Sequence, residues 1–281
     1  MGAPTLSAAP LAALLEQPRY EVLPLDGIVD KVVAYVPREI KVTVTASPTR
    51  GLDATLEVAE TLLAGGYRVV PHLSARLVRD GAHLQEILDR LEAAAAREIF
   101  VIAGDAHTPA GDYASAAALL DAMGDRRAGF DAIGISGYPE SHHLISDEET
   151  SAAMFAKEPF ATHIISQLCF DSAVTAAWIR AVRARGTRLP IWIGVPGSVE
   201  RQHLLRVSLK VGLGESVRVL RGHRQWLRLA RHRRYSPTRL LGDLAGTIAD
   251  PDARVAGLHI YTFNELEQTE RWRRQCLERL R

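Results

Sequence analysis

The segment HIISQLCFDSAVTAAWIRAVRARGTRLPIWIGV, His163 to Val195, holds a whole strand–helix–strand unit. Its first part, HIISQLC, is a continuous apolar run rather than an alternating one, the mark of a strand buried on both faces. DSAVTAAWIRAVRARG follows, an amphipathic stretch with an acidic cap at its start and Gly186 at its end, so it reads as a helix. PIWIGV then resumes the apolar pattern. Two such strands joined by a helix belong to a parallel sheet.

The same alternation continues outward in both directions. Apolar runs recur at YEVLPL (20–25), KVTVTA (41–46), RVVPHL (68–73), EIFVIAG (98–104), DAIGISG (131–137) and LHIYTF (258–263). Helix-length amphipathic segments lie between them, among them DATLEVAETLLAG (53–65) and HLQEILDRLEAAAAR (83–97). Eight strands alternating with helices over 281 residues predict a (β/α)8 TIM barrel. One domain over residues 1–281 is the economical expectation, with MGAPTLSAAPLAALL as a short N-terminal leading helix. A doubly wound sheet would carry a glycine-rich turn after its first strand, and no G-x-G-x-x-G follows any strand here.

Composition narrows the function classes. Apolar residues make up 47% and charged residues 24%, ordinary for a globular protein. The net charge of +1 gives no global attraction to nucleic acid or to an anionic membrane, and neither is expected as a partner. No apolar run is long enough to span a bilayer. MGAPTLSAAPLAALL lacks a basic leader, so it does not read as a signal peptide. Two distant cysteines, Cys169 and Cys276, make no disulfide framework; a reducing, cytoplasmic location is the expectation. There is no H-E-x-x-H and no cysteine pair at ligand spacing, so no metal site is expected.

In a barrel of this kind the chemistry sits where the strands end. Glu21, Thr45, His72, Asp105, Tyr138 with His142, Gln167, the Pro196 turn and Tyr261 stand at those positions in chain order. Only the seventh strand lacks a polar or ionisable side chain at its end. Read alone, His72 after a proline is a core histidine, while Asp105 is either a functional carboxylate or a cap for the next turn. Gln167, an amide next to an apolar run, requires a bonding partner, either internal or a ligand.

The residues at these ends resemble the methylenetetrahydrofolate reductase family over most of the barrel, from Tyr20 to Glu265. YEVLPL resembles the family's first-strand Phe-Glu-Phe-Phe-Pro-Pro, PHLSAR its Pro-His-Leu-Thr, and FVIAGD its Leu-Arg-Gly-Asp. ISGYPESH is very close to Gly-Tyr-Pro-Glu-x-His, ISQLCFD is similar to Thr-Gln-Phe-Phe-Phe-Asp, and IYTFN to Tyr-Thr-Leu-Asn. Six motifs in the right order carry the resemblance; none would alone. It implies FAD across the barrel mouth, reduction by NADH or NADPH, and hydride transfer to a tetrahydrofolate derivative as substrate. It implies Glu21 as general acid and Asp105 as a charge beside both cofactor and substrate. Thr45, His72, Asp105, Tyr138, His142 and Lys157 match flavin contacts, Lys157 toward the phosphates. Gln167, Tyr261 and Phe263 match the substrate pocket. The family also implies a homo-oligomer, with no surface assigned to it.

Some positions depart from the pattern. Ala103 stands where the family has an arginine, removing a phosphate contact for FAD, and Leu25 replaces a proline. Two other readings therefore stand beside the first: a folate reductase that works without flavin, and a barrel that binds folate or flavin without turning it over. The arginine-rich run 218–234 reads as a solvated helix face, or as a lid over anionic groups of a ligand.

Overall fold

The computed structural model describes residues 8–47, 49–140, 147–200 and 234–280. Each predicted apolar run becomes a parallel strand: β1 (Arg19–Val22), β2 (Lys41–Val44), β3 (Val69–Ser74), β4 (Glu98–Ile102), β5 (Ala132–Gly137), β6 (His163–Ser166), β7 (Ile191–Pro196) and β10 (Val255–Tyr261). They close into a barrel in the order β1-β10-β7-β6-β5-β4-β3-β2. Two short strands, β8 (Val199–Glu200) and β9 (Arg234–Tyr235), pair antiparallel outside it. No described helix is long and apolar enough to cross a membrane.

The connecting helices are α1 (Ala8–Glu16), α2 (Ile28–Tyr35), α3 (Gly51–Ala64), α4 (Gly81–Ala93), α5 (Ala116–Ala122), α6 (Asp147–Lys157), α7 (Ser172–Ala184), α8 (Thr238–Ala249) and α9 (Leu266–Leu280). Their starts follow from side chains that satisfy free backbone donors. Asp171 accepts from the Ala173 and Val174 amides at the head of α7, and Asp80 from the His83 amide at the head of α4. The leading helix α1 is tied down from the other end of the chain. Arg273 on α9 donates to the Leu15 carbonyl at 2.9 Å and pairs with Glu270, which also receives the buried Tyr20 hydroxyl.

Strands end earlier than their apolar runs where something else takes the backbone bonds. YEVLPL is strand only to Val22 because Asn264 clasps the next residue: Oδ1 accepts from the Leu23 amide at 2.8 Å and Nδ2 donates to the Leu23 carbonyl at 3.1 Å. Pro24, with no amide, could not extend the ladder.

Side chains two apart on a strand share a face, so the barrel interior fills in layers. At its N-terminal end lies a charged layer. Arg19 bonds Glu98 at 2.5 Å and His163 at 2.9 Å, Lys41 also reaches Glu98, and the Arg19 guanidinium lies 3.9 Å above the Trp192 ring. Gly257 makes room for that ring, since a Cβ there would sit 2.2 Å from it. Val70, Phe100 and Ile165 form an apolar layer. His72, His259 and Glu21 come next, beneath the open end.

Candidate active site

Eight of the residues singled out from sequence line one pocket at the C-terminal ends of the strands: Glu21, Thr45, His72, Asp105, Tyr138, Gln167, Tyr261 and Phe263. The cavity among them measures about 110 Å³. Ser74, Phe100 and Ser136 line it too and were not anticipated. His142 lies outside the described residues, as does the arginine-rich run apart from Arg234.

The Tyr-Thr-Phe-Asn turn after β10 builds one wall. Tyr261 donates its hydroxyl to the Ser166 carbonyl at 3.2 Å, and Thr262 donates to the Glu21 carbonyl at 2.5 Å. Phe263 and Asn264 both take positive φ, 52° and 62°, which is unusual for residues with a Cβ and costs on the order of 1 kcal/mol each. The turn thereby places Phe263 in the pocket lining while Asn264 holds β1. Across the pocket, Gly104 has φ 89°, and a Cβ on it would lie 1.8 Å from the Ser74 hydroxyl. Only glycine lets the strand-four turn approach β3 so closely.

Glu21 lines the pocket with two imidazoles beside it. Burial raises its carboxyl to about 7, with proximity to His72 pulling the other way. Oε2 is 3.0 Å from His259 Nε2 and 3.9 Å from His72 Nε2. Burial holds both imidazoles neutral, lowering His72 to about 4 and His259 to about 3. His72 stacks edge-on against Phe100, ring centroids 4.6 Å apart, and its Nε2 is buried with no hydrogen-bond partner among the described residues. The three groups present ligand atoms within 4.8 Å of one another, a grouping able to hold a cation, although no metal motif is visible along the chain. His259 was missed at the sequence level. The signal was present: His259 stands two residues before Tyr261 and so shares its inward face.

The other residues divide in use. Gln167 Oε1 accepts from the Leu168 amide at 2.9 Å, which identifies the oxygen and leaves the NH2 group as the donor available to a ligand. Asp105 lies close enough to Tyr138 to raise its phenol, after burial. Lys157 does not line the pocket. It is buried, lowered to about 8 by that burial, and donates to the Ser136 hydroxyl at 3.0 Å behind the wall. The pocket lining among the described residues thus holds two carboxyl groups and no lysine or arginine. Tyr235 stacks edge-on against Phe170 at 5.4 Å, beside the cluster that contains Phe263.

A family model described as methylenetetrahydrofolate reductase matches residues 23–207, well over half of the chain. The chain belongs to the methylenetetrahydrofolate reductase family. The matched span begins just after Glu21 and includes the pocket-lining residues from Thr45 to Gln167. Among solved structures, the chain is similar to a putative phosphonomutase from Burkholderia cenocepacia J2315, at 15% identity and TM-score 0.50, covering 97% of this chain and 99% of that one. A putative lyase/mutase from the same organism aligns at 18% identity and TM-score 0.45 over 67% of this chain and 72% of that one. The first of these supports the barrel fold and nothing finer; family membership comes from the sequence match.

Proposed function

We propose that the pocket reduces 5,10-methylenetetrahydrofolate to 5-methyltetrahydrofolate, with Glu21 as general acid and NADH or NADPH as the source of hydride. The observation that carries this reading is Glu21 itself: a carboxyl only 14% exposed, held to about 7 at the floor of the pocket, able to keep a proton near neutral pH and release it. Reduction needs a hydride on the one-carbon unit and a proton on the nitrogen that leaves it. Glu21 supplies the proton as the carbon–nitrogen bond breaks, and the carboxylate regains one from water. Asp105 places negative charge where the substrate develops cationic character. The Gln167 NH2 group offers a hydrogen bond to the pterin, and Tyr261 and Phe263 give it an apolar wall.

FAD is the family's cofactor, and part of the site suits it. The unpartnered His72 Nε2, in the pocket lining, offers a polar contact. Thr45, His72, Asp105 and Tyr138 would hold its ring and ribityl chain; Lys157, bonded to Ser136 behind the wall, is not placed to join them. When bound, it relays hydride from the nicotinamide to the folate. A second reading, direct hydride transfer without flavin, draws on Ala103 at the arginine position and on the absence of lysine and arginine from the described lining.

Absorbance of the purified protein, with and without added FAD, tests both. Flavin bands bleached by NADH and restored by methylenetetrahydrofolate support the first reading. A colourless protein that oxidises NADH only when methylenetetrahydrofolate is present supports the second. No folate-dependent oxidation under either condition refutes the reductase assignment and favours a binding role.

A further inference from the structure

His259 is wholly buried beside Glu21, with Nε2 3.0 Å from Oε2, and its Nδ1 has no hydrogen-bond partner among the described residues. A neutral imidazole carries one N–H. On Nδ1 that hydrogen would be a buried donor left unpaired; on Nε2 it bonds Glu21, and only an acceptor stays idle. The second arrangement is cheaper, because an unmade bond costs most at a buried donor. The surroundings keep the ring neutral. Burial acts first, and the Arg19 guanidinium in the layer below adds to it, with Glu98 opposing. Other groups facing the pair are His72 from β3, His163 from β6 and Tyr261 from β10.

A neutral donor bonds a carboxylate more strongly than it bonds a carboxylic acid. Burial pushes Glu21 toward the protonated form, and the His259 hydrogen bond pushes back. The carbonyl oxygen of a carboxylic acid is its better acceptor, so with Oε2 engaged by His259 the proton is favoured on Oε1, the donating oxygen.

We propose that His259 is the positioning residue of the acid: its Nε2–H fastens Glu21 Oε2, turns Oε1 toward the pocket, and limits how tightly the carboxyl holds its proton. The consequence for turnover rests on the reductase reading; the hydrogen bond and its effect on the proton do not.

The test compares His259→Phe, which keeps an aromatic ring without the donor, with His259→Gln, whose amide restores one. Difference infrared spectroscopy of the ligand-free protein follows the buried carboxylic C=O band against pH, assigned to Glu21 by its loss in Glu21→Gln. The midpoint should rise by about one to two pH units in His259→Phe and return most of the way in His259→Gln. In the reductase assay, His259→Phe should lower kcat with little change in the folate KM and move the pH profile in the same direction. A midpoint within about half a unit of wild type in a folded His259→Phe overturns the proposal. So does a midpoint that stays raised in His259→Gln. If the Phe variant does not fold, His259→Asn, too short to reach Oε2, takes its place with the same expected rise. Because the infrared reading needs no turnover, a protein with no reductase activity and a moved midpoint sinks the function but not this assignment. Normal activity with an unmoved midpoint does the reverse.

Discussion

Replacing Glu21 by glutamine tests whether its carboxyl is buried as the structure places it, through stability alone. The folded carboxyl titrates at about 7 against an ordinary value of 4.5, so the folded state binds the proton more tightly than the unfolded one. The stabilisation this provides is fully present below pH 4.5, falls as pH rises toward 7, and is gone above that. At about 1.4 kcal/mol for each tenfold change in proton affinity, the whole span is worth about 3 kcal/mol, and the part between pH 5 and pH 8 about 2.5 kcal/mol. Glutamine is neutral throughout and still accepts from His259. Relative to wild type, Glu21→Gln should therefore gain about 2.5 kcal/mol on going from pH 5 to pH 8. Histidines 72 and 259 stay neutral in the folded state of both proteins over that range, and their unfolded titration is shared, so they cancel. Urea unfolding of both proteins at the two pH values, with matched m-values, gives the number. A stability difference that does not change with pH would refute the burial argument, and with it the physical basis for an acid at this position.

Other outcomes follow from the same geometry. Glu21→Gln should lower folate reduction by about 10²-fold or more while nicotinamide and folate binding persist, as read by steady-state rates and by equilibrium titration. Gly104→Ala forces a Cβ against the Ser74 hydroxyl and a side chain into positive φ; a loss of at least about 2 kcal/mol by denaturant unfolding is expected, and an unchanged midpoint counts against the close approach. Asn264→Ala removes both bonds to Leu23 and puts alanine at φ 62°, so stability should fall by about 2–3 kcal/mol, with Asn264→Gly recovering only the backbone part. His72→Phe preserves the ring against Phe100 but removes the unpartnered Nε2; it should weaken ligand binding in the pocket several-fold while leaving the thermal midpoint within a few degrees of wild type.

Much of this molecule is legible along the chain. Continuous apolar runs such as HIISQLC and PIWIGV mark strands buried on both faces, and Asp171 and Asp80 mark helix starts, because these are properties of residues close in sequence. Polar residues at the ends of those runs foretell a pocket, since parallel strands in a barrel all deliver their ends to one mouth. Partners across the barrel are not legible in this way. A period-two reading says that His259 and Tyr261 share a face, but not that the barrel closes with Glu21 in register with Tyr261, so that β1 and β10, from opposite ends of the chain, meet in the contact of His259 with Glu21. The same closure brings Arg19, Lys41, Glu98 and His163, each the first residue of its strand, into a single charged layer. It also left Lys157 on Ser136 behind the wall rather than in the pocket. Sequence by itself determined which residues face inward and at which end the chemistry lies; the tertiary structure decided which of them touch, because strand register and barrel closure are set by the packing of the whole chain.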